Sequence, residues 1–138
     1  MPGYCTIADL ALRYGTANLA MWSGVDGSSS DPLNATRQQN ACDWAFNQIN
    51  ALLTRGPYTL PLVFIDVYSQ GMVQEWAIEL AVWHLYTARG INDEDKTAGK
   101  FEETRNKVMA EIKLVRAGSI QLNAARRWGD NPNSPTII

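Results

Sequence analysis

Residues 72–89 carry apolar side chains on every face of a helix, and this stretch limits what the chain can fold into. Val73, Ala77, Ala81, Leu85 and Ala88 form one apolar face at helical spacing. Trp76, Trp83 and Tyr86 project roughly opposite. A helix that is apolar nearly all round has to be buried on all sides. Two coverings remain open at this point. The chain's own helices can wrap it, or a partner subunit can cover its aromatic side.

The rest of the chain supplies helices for either arrangement. Thr6 reads as an N-cap for a short helix over residues 7–14, which Gly15 ends. Thr16 opens a second short helix through Trp22. Residues 23–31 are rich in Gly, Ser and Asp and read as a loop. A long helix is expected over 35–54, with Ala41, Cys42, Ala45, Ile49, Leu52 and Leu53 on one face and Gly56-Pro57 stopping it. Residues 58–68 contain Pro61 and the run Val63-Phe64-Ile65, and fit either a short strand or the lead-in to a helix. A last helix is expected over 96–117. Asn92-Asp93-Glu94-Asp95 precedes it, Phe101, Val108, Ile112 and Val115 form its apolar stripe, and Gly118 ends it. The expected core is Leu10, Ile49, Leu52, Ala77, Ala81, Leu85, Val108 and Ile112. The fold class is therefore mainly α: a small antiparallel helical bundle of about four main helices with an extended C-terminal tail. The division expected is 1–122 for the helical domain and 123–138 for the tail.

Composition excludes some functions. The 138 residues suit one domain. A formal net charge of −2 argues against a protein whose main task is gripping nucleic-acid phosphate. No run approaches the length of a membrane span, and the N-terminus shows no signal-peptide pattern. Cys5 and Cys42, far apart in sequence, make neither a disulfide scaffold nor a zinc site, and read as two reduced, partly buried thiols.

No catalytic, cofactor or metal motif stands out, so no enzyme, cofactor or metal is expected. His84, the single histidine, lies inside the apolar helix and reads as a structural residue at the core border. Glu75 and Glu79 stand four residues apart; their expected role is a polar rim around an aromatic contact, not acid–base chemistry. The two N-terminal helices resemble a helix-turn-helix, the alternative reading being a DNA-binding regulator. Its second helix would offer only Asn18 for a bidentate base contact, with no flanking Lys or Arg for phosphate.

Five Trp in a chain this size is high. Trp44, Trp76 and Trp83 lie away from the core faces of their helices. With Tyr86 they are the expected subunit contacts, because aromatics dominate interface hot spots. In the tail, Arg126 and Arg127 are expected to pair with acidic groups, and Trp128, Ile137 and Ile138 to fill apolar pockets on a partner.

The order of several short motifs resembles one family. Ile7-x-Asp9-Leu10-x-x-Arg13-Tyr14-Gly15 opens the chain, and Tyr58-Thr59-Leu60-Pro61-Leu62 follows the long helix. Ala81-x-Trp83-x-Leu85-Tyr86 lies in the central helix and Gly118-x-Ile120-x-Leu122 follows the last one. Together they resemble the Mu-like phage and prophage head–tail connector proteins over roughly residues 4–122. The resemblance implies a structural adaptor in the virion neck, made in the host bacterial cytoplasm. It implies a ring of copies of the chain, usually twelve-fold, below the portal protein. It further implies docking to neck and tail-terminator proteins, and a DNA channel with no sequence-specific binding and no membrane. No catalytic residues are carried over.

Overall fold

A computed structural model describes residues 3–23, 34–87 and 96–127. Within them lie five helices: α1 (Ile7–Tyr14), α2 (Thr16–Ser23), α3 (Asn34–Leu53), α4 (Val67–Thr87) and α5 (Lys96–Ala117). The mainly helical fold class is as expected. The 23–31 loop beyond Ser23 and the acidic run 92–95 lie outside the described residues.

Local chemistry sets the helix ends. The Thr6 hydroxyl accepts from the Asp9 backbone N–H, and the Asp9 carboxylate accepts from the Thr6 N–H. This reciprocal capping box satisfies two of the donors a helix N-terminus leaves open. Gly15 stops α1 at φ 89°, a conformation that disfavours a side chain, while its N–H returns to the Ala11 carbonyl. Replacing Thr6 by Ala should therefore lower stability by about 1 kcal/mol in a denaturant melt. An unchanged midpoint would show that α1 is held by packing alone.

The central helix α4 begins at Val67, five residues before the expected start at Met72. Asp66 explains the difference. Its Oδ1 accepts from the Ser69 backbone N–H at 2.9 Å, so it caps the helix ahead of Gly71.

α4 is wrapped by the chain itself. It contacts α1, α2, α3 and α5. Every side chain from Trp76 to Val82 is buried, which no one-sided helix allows. Small residues make this possible. Ala41 and Ala45 of α3, and Ala77 and Ala81 of α4, are fully buried in the most extensive helix pairing of the fold. Trp76 lies beside Glu111 and Trp83 beside Glu102, so α5 runs antiparallel to α4, while Trp44 of α3 lies beside His84. The expected core holds except at Leu52, which is half-buried at its border.

The C-terminal boundary also moves. Residues 123–127 do not leave the body; they run antiparallel beside residues 57–65. Ile65 N–H donates to the Asn123 carbonyl at 2.8 Å, and Arg127 N–H to the Pro57 carbonyl at 2.9 Å. Ala125 is clasped on both sides: its carbonyl accepts from Thr59 and its N–H donates to Val63. Tyr58, 1% exposed, anchors the return: its phenol oxygen accepts from the Leu122 N–H at 2.8 Å. Residues 58–66 are thus a largely extended segment that leads into α4 at Val67, which joins the two readings the sequence left open for 58–68.

Candidate interaction surfaces

Among the residues expected to meet a neighbour, two turn out to be core. Trp76 is 2% exposed, and its indole N–H donates to Glu111 at 2.9 Å. Tyr86 is 5% exposed and sits in a cluster of edge-on and tilted rings with Trp22 and Phe101. Tyr14 closes that cluster from α1. The expectation failed for these two because the helical wheel gives direction but not what stands opposite. The face carrying Trp76 meets α5, and the end carrying Tyr86 meets α2 and the start of α5.

Trp44 and Trp83 behave differently. Both are only partly buried and lean on each other, with centroids 5.6 Å apart. Trp44 stacks on His84 at 4.4 Å and 13°. On the other side the Arg105 guanidinium lies 4.4 Å from the Trp83 ring centroid, a cation–π contact, and Glu102 accepts from the Trp83 indole at 3.2 Å. The result is a layered stack of rings and one cation at the edge of the α3–α4–α5 seam.

His84 is half-buried in that stack, and burial holds its pKa below the usual 6.5. The sign follows directly. The folded chain resists the proton that the unfolded chain accepts, so this contribution to stability is present above about pH 6.5 and is lost on acidification. The melting temperature should fall between pH 7 and pH 5, and His84→Phe should flatten that fall while keeping a ring on Trp44. Asp9 and Asp66, whose pKa values lie below the usual 3.8, contribute stability that persists across this range and is lost only at more acid pH. An equal slope in the variant would place the acid sensitivity elsewhere.

The two carboxylates of α4 do not rim the aromatic contact as expected. Arg13 of α1 bridges them, 2.7 Å from Glu75 and 3.1 Å from Glu79. The nearly buried Glu79 also accepts from the Tyr14 hydroxyl at 2.7 Å. That network pins α1 onto α4 beside a groove of about 260 Å³ floored by Met72, Trp76 and Val108. Among the described residues no group of three or more His, Cys, Asp or Glu is placed to hold a metal ion.

The tail candidates divide in the same way. Arg126 lies over the Tyr58 ring at 5.5 Å. Arg127 donates through Nε to the Tyr58 carbonyl at 3.2 Å and through Nη2 to the Thr54 carbonyl. Both therefore bind their own chain, where the sequence reading had them reaching for a partner. Trp128, Ile137 and Ile138 lie outside the described residues.

The N-terminal pair is poorly built for reading DNA. One residue, Gly15, separates α1 from α2, whereas a helix-turn-helix uses a turn of about 3–4 residues. Asn18 spends its amide on the Tyr14 carbonyl, and Leu19 and Trp22 face inward.

One group of exposed apolar side chains was not singled out from the sequence. Val63, Ile65, Val67, Tyr68 and Met72 are 56%, 60%, 72%, 84% and 36% exposed. All five fall within ten residues of chain, along the extended segment and the first turns of α4. Residues 56–74 contain one Asp and no Glu, Lys, Arg or His. That Asp66 is occupied by Ser69 and by the Asn123 side chain at 3.0 Å. A usable signal was present: in residues 62–65 both parities of an extended chain are apolar. One parity, Leu62 and Phe64, turns toward the core, so the other must face outward.

Comparison with known proteins adds one finding. The family model described as Bacteriophage Mu, Gp36 matches residues 4–136. No individual curated protein matches the chain.

Proposed function

Because the chain belongs to the bacteriophage Mu Gp36 family, we propose that it is a structural head–tail connector subunit, acting by shape and interface burial. Copies form a ring below the portal, extend the DNA channel and give neck and tail proteins a docking surface. The observation that carries this reading is the exposed apolar strip from Val63 to Met72, whose one charged residue, Asp66, is engaged by Ser69 and Asn123. Scattered single apolar side chains on a surface need no explanation, but a contiguous exposed group points to a protein contact. Its lack of cations suits a protein neighbour and not nucleic-acid phosphate.

Heterologous contacts of this kind close into a ring when the rotation between copies permits. The half-exposed Trp44 and Trp83 provide a second contact area on the α3–α4–α5 seam. In this reading Trp128, Ile137 and Ile138 complete the docking to the portal or a neighbouring copy.

The test is electron microscopy of particles from a phage carrying or lacking the gene for this chain. The expected result is ring density between head and tail in the first and tailless heads in the second. Normal tailed particles without the chain would overturn the reading.

A further inference from the structure

Positive charge gathers at the end of the bundle where α3 and α5 finish. Arg55 lies in the turn after α3, and Lys113 and Arg116 stand three residues apart in the last turns of α5, so they share a face. Gly56 packs directly against Arg116, whose Cα lies 3.5 Å from where a side chain on Gly56 would begin. Arg126 and Arg127 reach the same turn from the returning segment. Arg126 lies over the Tyr58 ring, and Arg127 donates to the Thr54, Pro57 and Tyr58 carbonyls. Residues 44–65 and 112–127 hold these five cations and no Asp, Glu or His. All fourteen acids of the chain fall outside both stretches.

The five charges stay uncompensated. Among the described residues none of them forms an ion pair; the ion pairs there engage Arg13 and Arg105 instead. Arg126 and Arg127 are held by a ring and by carbonyls, which fix a guanidinium without neutralising it. The carbonyl ends of α3 and α5 supply only about half a negative charge each. Screening at physiological salt acts over about 8 Å, so more distant acids of the chain do little to cancel this field for a ligand lying on this end. The formal net charge of −2 averages the asymmetry away.

We propose that this end of the bundle is a contact for the phosphate backbone of duplex DNA, made without regard to base sequence. Four of the five cations are arginines, whose planar forks match phosphate oxygens. A protein contact needs an apolar centre inside its polar rim. Among the described residues of these turns and of the end of α5, Leu114 is the single large apolar side chain that is exposed. The 63–72 strip has the opposite character, apolar and without a cation, so the two surfaces suit different neighbours. The contact does not depend on the connector reading; within that reading, it turns this end of the bundle toward the DNA channel.

Fluorescence anisotropy of the purified full chain with two labelled 25-base-pair duplexes of unrelated sequence tests the proposal. Both duplexes should bind equally, and the logarithm of the affinity should fall with the logarithm of salt concentration at a slope of about −4, as expected for four to five phosphate contacts. The triple variant Arg55→Gln, Lys113→Gln, Arg116→Gln keeps the side-chain stems and removes three exposed charges. It should keep its circular-dichroism melt, bind about 100-fold or more weakly at 50 mM salt, and lose about 3 from the slope. The double variant Lys100→Gln, Lys107→Gln, elsewhere on α5, should bind as the wild type does. No binding of either duplex at 50 mM salt would overturn the proposal, as would a preference for one sequence or undiminished binding by the triple variant. Binding to polyglutamate with none to DNA would overturn it in favour of an acidic protein neighbour. The wild-type salt slope needs no variant to fold, and the particle microscopy that tests the connector reading is decided separately.

Discussion

Trp76→Ala should destabilise the isolated chain by roughly 3–5 kcal/mol, whatever the protein concentration. The indole is almost fully enclosed by its own protomer. Its removal opens a large cavity between α4 and α5, and the bundle can only partly collapse into that space. It also removes the donor that Glu111 uses at 2.9 Å. Domains of this size are stable by about 5–15 kcal/mol in all, so the loss is a large share of the total. Trp76→Phe separates the two effects, since it keeps most of the ring volume and removes the N–H. A urea titration read by circular dichroism measures both. Had Trp76 been an interface residue, its truncation would have left the free chain nearly unchanged and weakened association instead.

The opposite pattern is expected for the strip. Tyr68→Asp should leave the melting temperature of the free chain within a few degrees, because Tyr68 is 84% exposed and contributes little to the fold. Association between copies should weaken strongly. A central aromatic at an interface commonly contributes about 2 kcal/mol or more, close to 30-fold in affinity, and an unpaired carboxylate buried against a neighbour adds to the penalty. Sedimentation of the purified chain and complementation of a gene deletion measure the two sides. Wild-type assembly by a folded Tyr68→Asp chain would remove the strip from the interface. Trp83→Ala is a useful companion. Trp83 is half-buried and tied to Trp44, Arg105 and Glu102, so it should lose both some stability and some association.

The contrast between Trp76 and Tyr68 shows how far the sequence could be read. Helix positions followed from local rules. Thr6 and Gly15 bound α1, and Gly118 ends α5, because capping and left-handed glycine are decided within a few residues. The apolar circumference of α4 correctly marked it as the helix to be enclosed. What encloses it was not legible. That depends on α2 and α5 returning to the aromatic side, and no periodicity within α4 records the return. Hence Trp76 and Tyr86 were placed at an interface and proved to be core.

The same limit applied to the C-terminal segment. Arg126 and Arg127 have the composition of a mobile arm, yet Tyr58 supplies a ring and a carbonyl that hold them. The strip at residues 63–72 was hidden for another reason. Val63-Phe64-Ile65 reads only as a short strand or the lead-in to a helix, and neither reading asks which side stays outside, although an extended chain can bury only one of its two sides.

A high-resolution electron-microscopy reconstruction of the particle neck would examine the strip itself. The account predicts side chains of an adjacent polypeptide in van der Waals contact with Val63, Ile65, Val67 and Tyr68, and Trp76 still enclosed by its own α4 and α5. Bulk solvent over all four strip residues in the assembled particle would contradict it.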